Sequence, residues 1–129
     1  RVSFFLKSNL WPRKVIKMRC LFSSRVIYAY IFFIIFISVA PMHISHTLGF
    51  PLDKIIHFLI YLTFSFLISN TLAFNRQKHS HLKGFLYTFS IGLAMEVVQY
   101  FLPYRSFETA DIFSNALGAL LGTFIRISL

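Results

Sequence analysis

The stretch that decides the fold is DKIIHFLIYLTFSFLISNTLAF, residues 53–74. From residue 55 onward it is mostly apolar, and its length matches the roughly 20 helical residues that cross the hydrocarbon core of a bilayer. We therefore predict a membrane-spanning helix. An acid, a base and an imidazole, Asp53, Lys54 and His57, lie where this helix would leave the hydrocarbon.

Three further segments are apolar enough to continue the pattern, and they cover residues 26–42, 82–102 and 110–127. Short polar connections separate the four spans, which predicts an all-α, integral membrane four-helix bundle in residues 18–129. The first span is also consistent with a signal peptide, because Ser38 and Ala40 resemble a cleavage site, although Pro41 argues against cleavage. Residues 1–17 read poorly as a helix because Pro12 interrupts them, and they are predicted to be a basic amphipathic leader or sequence foreign to the native protein.

The composition supports a membrane protein and argues against a nucleic-acid partner. Of 129 residues, 57% are hydrophobic and 13% are charged, whereas about a quarter are charged in a soluble domain. The net charge of +9 would suggest nucleic acid in a soluble protein, but here the basic residues flank apolar segments. The lone cysteine, Cys20, excludes an intramolecular disulfide and a cysteine-based metal site.

The charged residues also predict how the bundle is oriented. All Lys and Arg residues except Lys54 and Arg105 lie before the first span, between the second and third, or at the C-terminal end. The positive-inside rule makes those regions cytoplasmic, so both termini are predicted to be cytoplasmic. The four acidic residues, Asp53, Glu96, Glu108 and Asp111, then all fall on the outer side.

The outer polar residues recur at helical spacing, which predicts a shared site. Glu96 precedes Leu102 by six residues, so its carboxylate would lie roughly 9 Å below the end of its span. A bare carboxylate at that depth costs several kcal/mol, so we predict that it is protonated or paired with Arg105 or His57. The predicted binding site consists of Asp53, Lys54, His57, Glu96, Gln99, Arg105, Asp111 and Asn115.

Structural roles remain open for several of these residues. Asp111 is well placed to be the N-cap of the fourth span, and Asp53 with Lys54 would make a weak interfacial ion pair. Glu96 is also consistent with a locking ion pair to Arg105. Gly118 and Gly122 form a small-residue stripe that predicts helix contact, including self-association of the chain.

The order of these motifs resembles the VanZ-like family of small bacterial membrane proteins. The matching stretches are DKIIHF (residues 53–58) and EVVQYFLPYRSFETADIFSNALGALLG (residues 96–122). Tyr104 departs from the family pattern, which often has Gly between Pro and Arg. The resemblance implies a multi-pass protein of the bacterial cytoplasmic membrane. The family's namesake is linked to resistance to teicoplanin, a glycopeptide antibiotic that acts on cell-wall precursors.

We therefore predict a polar site that modulates glycopeptide susceptibility, or that binds or acts on an envelope lipid or lipid-linked wall precursor. In a binding role, Arg105 and Lys54 would engage phosphate or carboxylate. In a catalytic role, the candidates are His57 or Glu96 as general base and Asp111 or Asp53 to orient the imidazole. The alternative is a structural or accessory membrane protein whose polar residues lock helix packing.

Whether the protein is an enzyme remains open at the level of sequence, because no Ser or Cys nucleophile motif is evident. Asp53, His57, Glu96 and Asp111 would offer metal ligands, but their spacing matches no dense ligand motif. We therefore predict no metal and no cofactor. The predicted partners are membrane lipids, a lipid-linked wall precursor or a glycopeptide.

Overall fold

The computed structural model describes residues 13–41 and 52–125. They form five helices and no strand, which confirms the all-α prediction. The helices are α1 (Arg13–Leu21), α2 (Ser24–Val39), α3 (Leu52–Phe74), α4 (Ser80–Tyr100) and α5 (Thr109–Phe124). Helices α2 to α5 coincide with the four predicted spans, and each begins slightly earlier than predicted.

The expectation that residues 1–17 form a poor helix was wrong for their last part, whereas their assignment as a leader stays a prediction. Helix α1 begins at Arg13, directly after Pro12, because proline disrupts a helix that contains it but is tolerated where one starts. The remaining part of the predicted leader, residues 1–12, lies outside the described residues, as do His43 and His46 in the connection before α3.

Helix α3 is the centre of the bundle and packs most closely against α5. The approach is close because α5 presents Gly118 and Gly122 to α3. A Cβ at Gly118 would collide with the carbonyl oxygen of Phe58, and a Cβ at Gly122 would collide with that of Leu62. The predicted helix contact through the small-residue stripe is therefore made within the chain. Both glycines are buried there, so self-association through them would need this same surface.

The side chains are distributed as expected for a bundle whose outer surface faces hydrocarbon. Glu96, Asn115 and Ser69 are almost completely buried, whereas Phe113 is 76% exposed and Phe32 is 72% exposed. A soluble protein rarely exposes so much contiguous apolar surface, and polar groups in a membrane bundle face its interior.

Two helical stretches in the described part of the chain, Lys17–Val39 and Leu52–Phe74, are long and apolar enough to cross a membrane. Helix α5 is shorter, and α4 is less apolar because its buried face carries Thr88, Glu96 and Gln99. The bundle thus contains two strongly apolar helices and two whose inner faces are polar.

Candidate functional site

A cluster of charged and polar side chains lies where α3 begins, α4 ends and α5 begins. These ends meet because α3, α4 and α5 follow one another as antiparallel neighbours with short connections. We call this group the acidic cluster, and it comprises Asp53, Lys54, His57, Glu96, Glu108, Asp111 and Asn115. It contains six of the eight residues that the sequence predicted for the site.

The single ammonium of the cluster is shared by three carboxylates. Lys54 Nζ lies 3.0 Å from Asp53 Oδ2, 2.6 Å from Glu108 Oε2 and 2.9 Å from Asp111 Oδ1. These contacts join the start of α3 to the start of α5. Three carboxylates around one ammonium leave this part of the cluster with an excess of negative charge.

The fourth carboxylate, Glu96, is only 1% exposed and belongs to a hydrogen-bonded relay. The amide of Asn115 donates from Nδ2 to Glu96 Oε1 at 3.3 Å and accepts at Oδ1 from His57 Nδ1 at 3.1 Å. His57 Nδ1 also lies 3.9 Å from Glu96 Oε1. Glu96 Oε2 has no hydrogen-bond partner among the described residues.

The relay determines which ring nitrogen of His57 carries a proton. An amide oxygen only accepts hydrogen bonds, so the bond from Nδ1 to Asn115 fixes the tautomer in which Nδ1 carries the proton. The lone pair of Nε2 then remains to accept a proton. We expected Asp53 or Asp111 to orient this imidazole, but in the structure Asn115 does so.

Arg105 and Gln99 extend away from the carboxylates and hold the end of α2. Arg105 Nη2 donates to the carbonyl oxygens of Ile37 and Ala40, both at 3.0 Å. Gln99 Nε2 donates to Ser38 O at 3.2 Å. Because the last carbonyls of a helix have no partner within the helix, these side chains complete the hydrogen bonding of α2. The predicted contact between Arg105 and Glu96 is not formed.

A small cavity separates these two sets of residues. It measures about 50 Å³ and lies between α2, α3 and α4. His57 and Asp53 line one side, and Gln99 and Arg105 line the other. Its volume suffices for a water molecule, whose share of liquid volume is about 30 Å³. All eight predicted site residues therefore belong to the cluster or line the cavity beside it.

The start of α5 differs from the prediction. The N-cap is Glu108, with no side-chain capping bond, and Asp111 lies in the first turn. Asp111 bonds Lys54 instead of a helix N–H group. Glu108 is the cluster member that sequence reasoning did not assign to the site. Its spacing of three residues from Asp111 was the available signal, since residues at i and i+3 share a helix face.

Two overlapping sets of side chains have a composition suited to a metal ion. His57, Glu96 and Asp111 offer ligand atoms that all lie within 4.8 Å of one another, as do those of Asp53, Glu108 and Asp111. Carboxylate oxygen and imidazole nitrogen are ligands for several divalent ions. The absence of a metal in this protein stays a prediction from sequence.

The apolar exterior, the two strongly apolar helices and the buried acidic cluster together indicate a helical membrane protein with a polar interior site. The chain belongs to the VanZ/LLP1 family, whose model matches residues 4–129, and the predicted resemblance is confirmed. The chain is also similar to an uncharacterized protein of Schizosaccharomyces pombe, with 30% identity over 98 residues. That match covers 75% of this chain and 60% of the relative's length. No solved structure matches the chain.

Proposed function

We propose that this VanZ-like chain is a multi-pass protein of the bacterial cytoplasmic membrane with four spans and cytoplasmic termini. Helices α2 to α5 supply the four spans, and the positions of the Lys and Arg residues support the orientation. In this orientation the acidic cluster and the adjacent cavity face the outer side of the membrane.

The function that we propose for the site is to bind the polar headgroup of an envelope lipid or lipid-linked wall precursor, and so to modulate glycopeptide susceptibility. Glu96 carries this proposal. It is 1% exposed, and one of its oxygens lacks a hydrogen-bond partner among the described residues. A bundle that needed only stability would gain more from an apolar side chain at such a position, so the retained carboxylate indicates a ligand.

The cavity indicates how a headgroup would reach the cluster. With a volume of about 50 Å³, the cavity is smaller than a lipid headgroup, so binding requires one wall to move. Helix α2 forms that wall, and hydrogen bonds from Gln99, Tyr104 and Arg105 to its last carbonyls hold it in place. The similarity to a fission-yeast protein favours a lipid headgroup over a bacterial wall precursor, since lipid headgroups occur in both kinds of organism.

The second candidate function is structural, and the environment of Lys54 favours it. The ammonium joins α3 to α5 through three carboxylates at 2.6–3.0 Å. A network of this kind would fix the register of the two helices without binding a ligand. In that role the protein would act as an accessory subunit in the membrane.

Teicoplanin susceptibility of a sensitive Gram-positive host distinguishes the two functions. The host would express wild type, Glu96→Gln or the control Thr71→Val, and the membrane abundance of each protein would be quantified. The control removes a buried hydroxyl at the opposite end of α3 from the acidic cluster, where it donates to Leu67 O. We expect wild type and Thr71→Val to protect, and Glu96→Gln to be equally abundant without protecting.

Other outcomes reject a specific part of the proposal. If Glu96→Gln disappears from the membrane while Thr71→Val remains, the role of the cluster is to hold the helices together. If wild type does not protect, the glycopeptide role is wrong for this chain. Mass spectrometry of lipids that copurify with wild type and with Glu96→Gln would then test headgroup binding by itself.

A further inference from the structure

We infer that His57, Glu96 and Asp111 bind one divalent transition-metal ion, which would present a positive charge to the headgroup in the cavity. This inference rests on the proposed function, because it assigns the ion to the same site. The metal-binding step can nevertheless be measured without any lipid.

The first observation behind the inference is the geometry of the three side chains. They come from α3, α4 and α5, and their ligand atoms lie within 4.8 Å of one another. Bonds of about 2.0–2.2 Å to an ion would draw these atoms closer by roughly an ångström, which side-chain rotation can supply. Asp111 gives Lys54 only one oxygen, Oδ1, so its second oxygen can face the ion.

The second observation is independent of the clustering and concerns the bonding of Glu96. Its Oε2 atom is buried and has no hydrogen-bond partner among the described residues. A buried polar atom without a partner is uncommon and costly. The nearest ammonium, on Lys54, is already bound by three other carboxylates. A cation held beside Glu96 would supply both the missing partner and the missing charge.

The ligand set indicates which ions fit. An imidazole with two carboxylates suits Zn²⁺ or Mn²⁺, whereas Ca²⁺ takes six to eight oxygen ligands. Asn115 Oδ1 accepts the Nδ1 proton of His57 at 3.1 Å, so Nε2 is the ring nitrogen whose lone pair is available to the ion.

A bound cation would also resolve an electrostatic difficulty in headgroup binding. From the sequence we predicted that Lys54 and Arg105 would engage a phosphate. In the structure Lys54 is bound by carboxylates and Arg105 by backbone carbonyl oxygens. A phosphate that approaches the cavity would therefore meet an excess of carboxylates, unless an ion between His57 and Glu96 offers it positive charge.

Isothermal titration of the purified full-length chain tests the inference. The protein would be stripped with a chelator in detergent and titrated with Zn²⁺ and with Mn²⁺. All variants would carry Cys20→Ser, because Cys20 is an exposed free thiol and thiolates bind Zn²⁺. We expect one ion per chain, and affinity at least about tenfold weaker in Glu96→Gln. The control Thr71→Val is expected to bind within about threefold of the parent, since it removes a hydroxyl at the opposite end of α3 from the proposed ligands.

Absence of stoichiometric binding, or equal weakening by Glu96→Gln and Thr71→Val, would overturn the inference. Circular dichroism checks that each variant remains helical. If Glu96→Gln unfolds, the visible absorption of bound Co²⁺ decides, because loss of the nitrogen ligand in His57→Gln must change that spectrum. Metal binding without teicoplanin protection or lipid copurification would reject the proposed function alone. Protection against teicoplanin without metal binding would reject only the proposed metal site.

Discussion

Two polar layers cross the bundle of α3, α4 and α5, and they are built differently. The acidic cluster at one end is charged and leaves a buried carboxylate oxygen without a partner in the described part of the chain. The layer at the other end contains no carboxylate, and we call it the hydroxyl layer. It consists of Ser69, Asn70, His81 and Thr123.

The polar groups of the hydroxyl layer bond one another and nearby backbone carbonyls. Ser69 Oγ and Thr123 Oγ1 are 2.9 Å apart, and Thr123 Oγ1 donates to His81 O at 2.7 Å. His81 Nδ1 donates to Thr123 O at 2.6 Å, and Asn70 donates to the carbonyls of Phe66 and Ile125. Each polar group thus binds the backbone or a neighbouring hydroxyl.

The comparison separates two uses of polarity inside a membrane bundle. Neutral groups that satisfy one another stabilise helix contacts modestly. A charged group that is incompletely satisfied costs stability, and such residues in membrane segments usually serve function. We therefore expect substitutions in the hydroxyl layer to change stability alone, and substitutions in the acidic cluster to separate stability from function.

The largest loss of stability is expected from Gly122→Val, which would disrupt both polar layers. A side chain at this position collides with the backbone of α3 at Leu62, so α3 and α5 would be forced apart. Overpacking of this kind costs about 3 kcal/mol of unfolding free energy. Unfolding of the purified protein in detergent, by heat or denaturant, measures the loss. Ala94→Val, on an exposed face of α4, is the matched control, and an equal loss there would contradict the close approach.

A smaller loss is expected from Lys54→Met, which leaves three carboxylates without their ammonium. Removal of one partner from a buried ion pair costs 3–5 kcal/mol, but Lys54 is 24% exposed, so we expect about 2 kcal/mol. The same unfolding experiment measures it. Lys83→Met is the control, because the ammonium of Lys83 bonds the exposed side chain of Gln77 and no carboxylate among the described residues. Similar losses in the two variants would show that the Lys54 network does not join α3 to α5.

The two layers also differ in how far sequence could predict them. The acids, His57 and Lys54 stand out in an apolar chain, and helical spacing placed six predicted residues in one cluster. The sequence did not predict the hydroxyl layer, because Ser and Thr are common residue types in membrane helices. Ser69 and Thr123 come together only through the packing of α3 on α5. The direction of Arg105 was missed for a related reason. Its partners are backbone carbonyls of α2, which carry no signal in a sequence.

A double-mutant cycle with Ser69→Ala and Thr123→Val sharpens the description of the hydroxyl layer. Ser69→Ala removes its hydrogen bond to Thr123, and Thr123→Val removes that bond and the one to His81 O. We expect a cost of about 1 kcal/mol for each bond removed. The coupling energy between them is expected to be about 0.6 kcal/mol, as for other hydrogen bonds between membrane helices. Teicoplanin protection per molecule of membrane protein should be unchanged, and a loss of protection at equal abundance would give the hydroxyl layer a role in function.

The smallest effect on stability is expected from Glu96→Gln. The sign of the change in unfolding free energy decides whether Glu96 serves a ligand or holds the helices together. Glutamine keeps the shape of the side chain and an oxygen that accepts from Asn115, while it removes the buried acidic group. If Glu96 serves a ligand, the variant should be as stable as wild type or more stable by about 1 kcal/mol, because function is often retained at the cost of stability. Protection should nevertheless be lost. Unfolding measured beside Ser69→Ala makes the comparison direct, since both variants change one polar group in the same bundle. If Glu96→Gln destabilises the protein more than Ser69→Ala does, the carboxylate has a structural role like that of the hydroxyls, and the acidic cluster serves to stabilise helix packing.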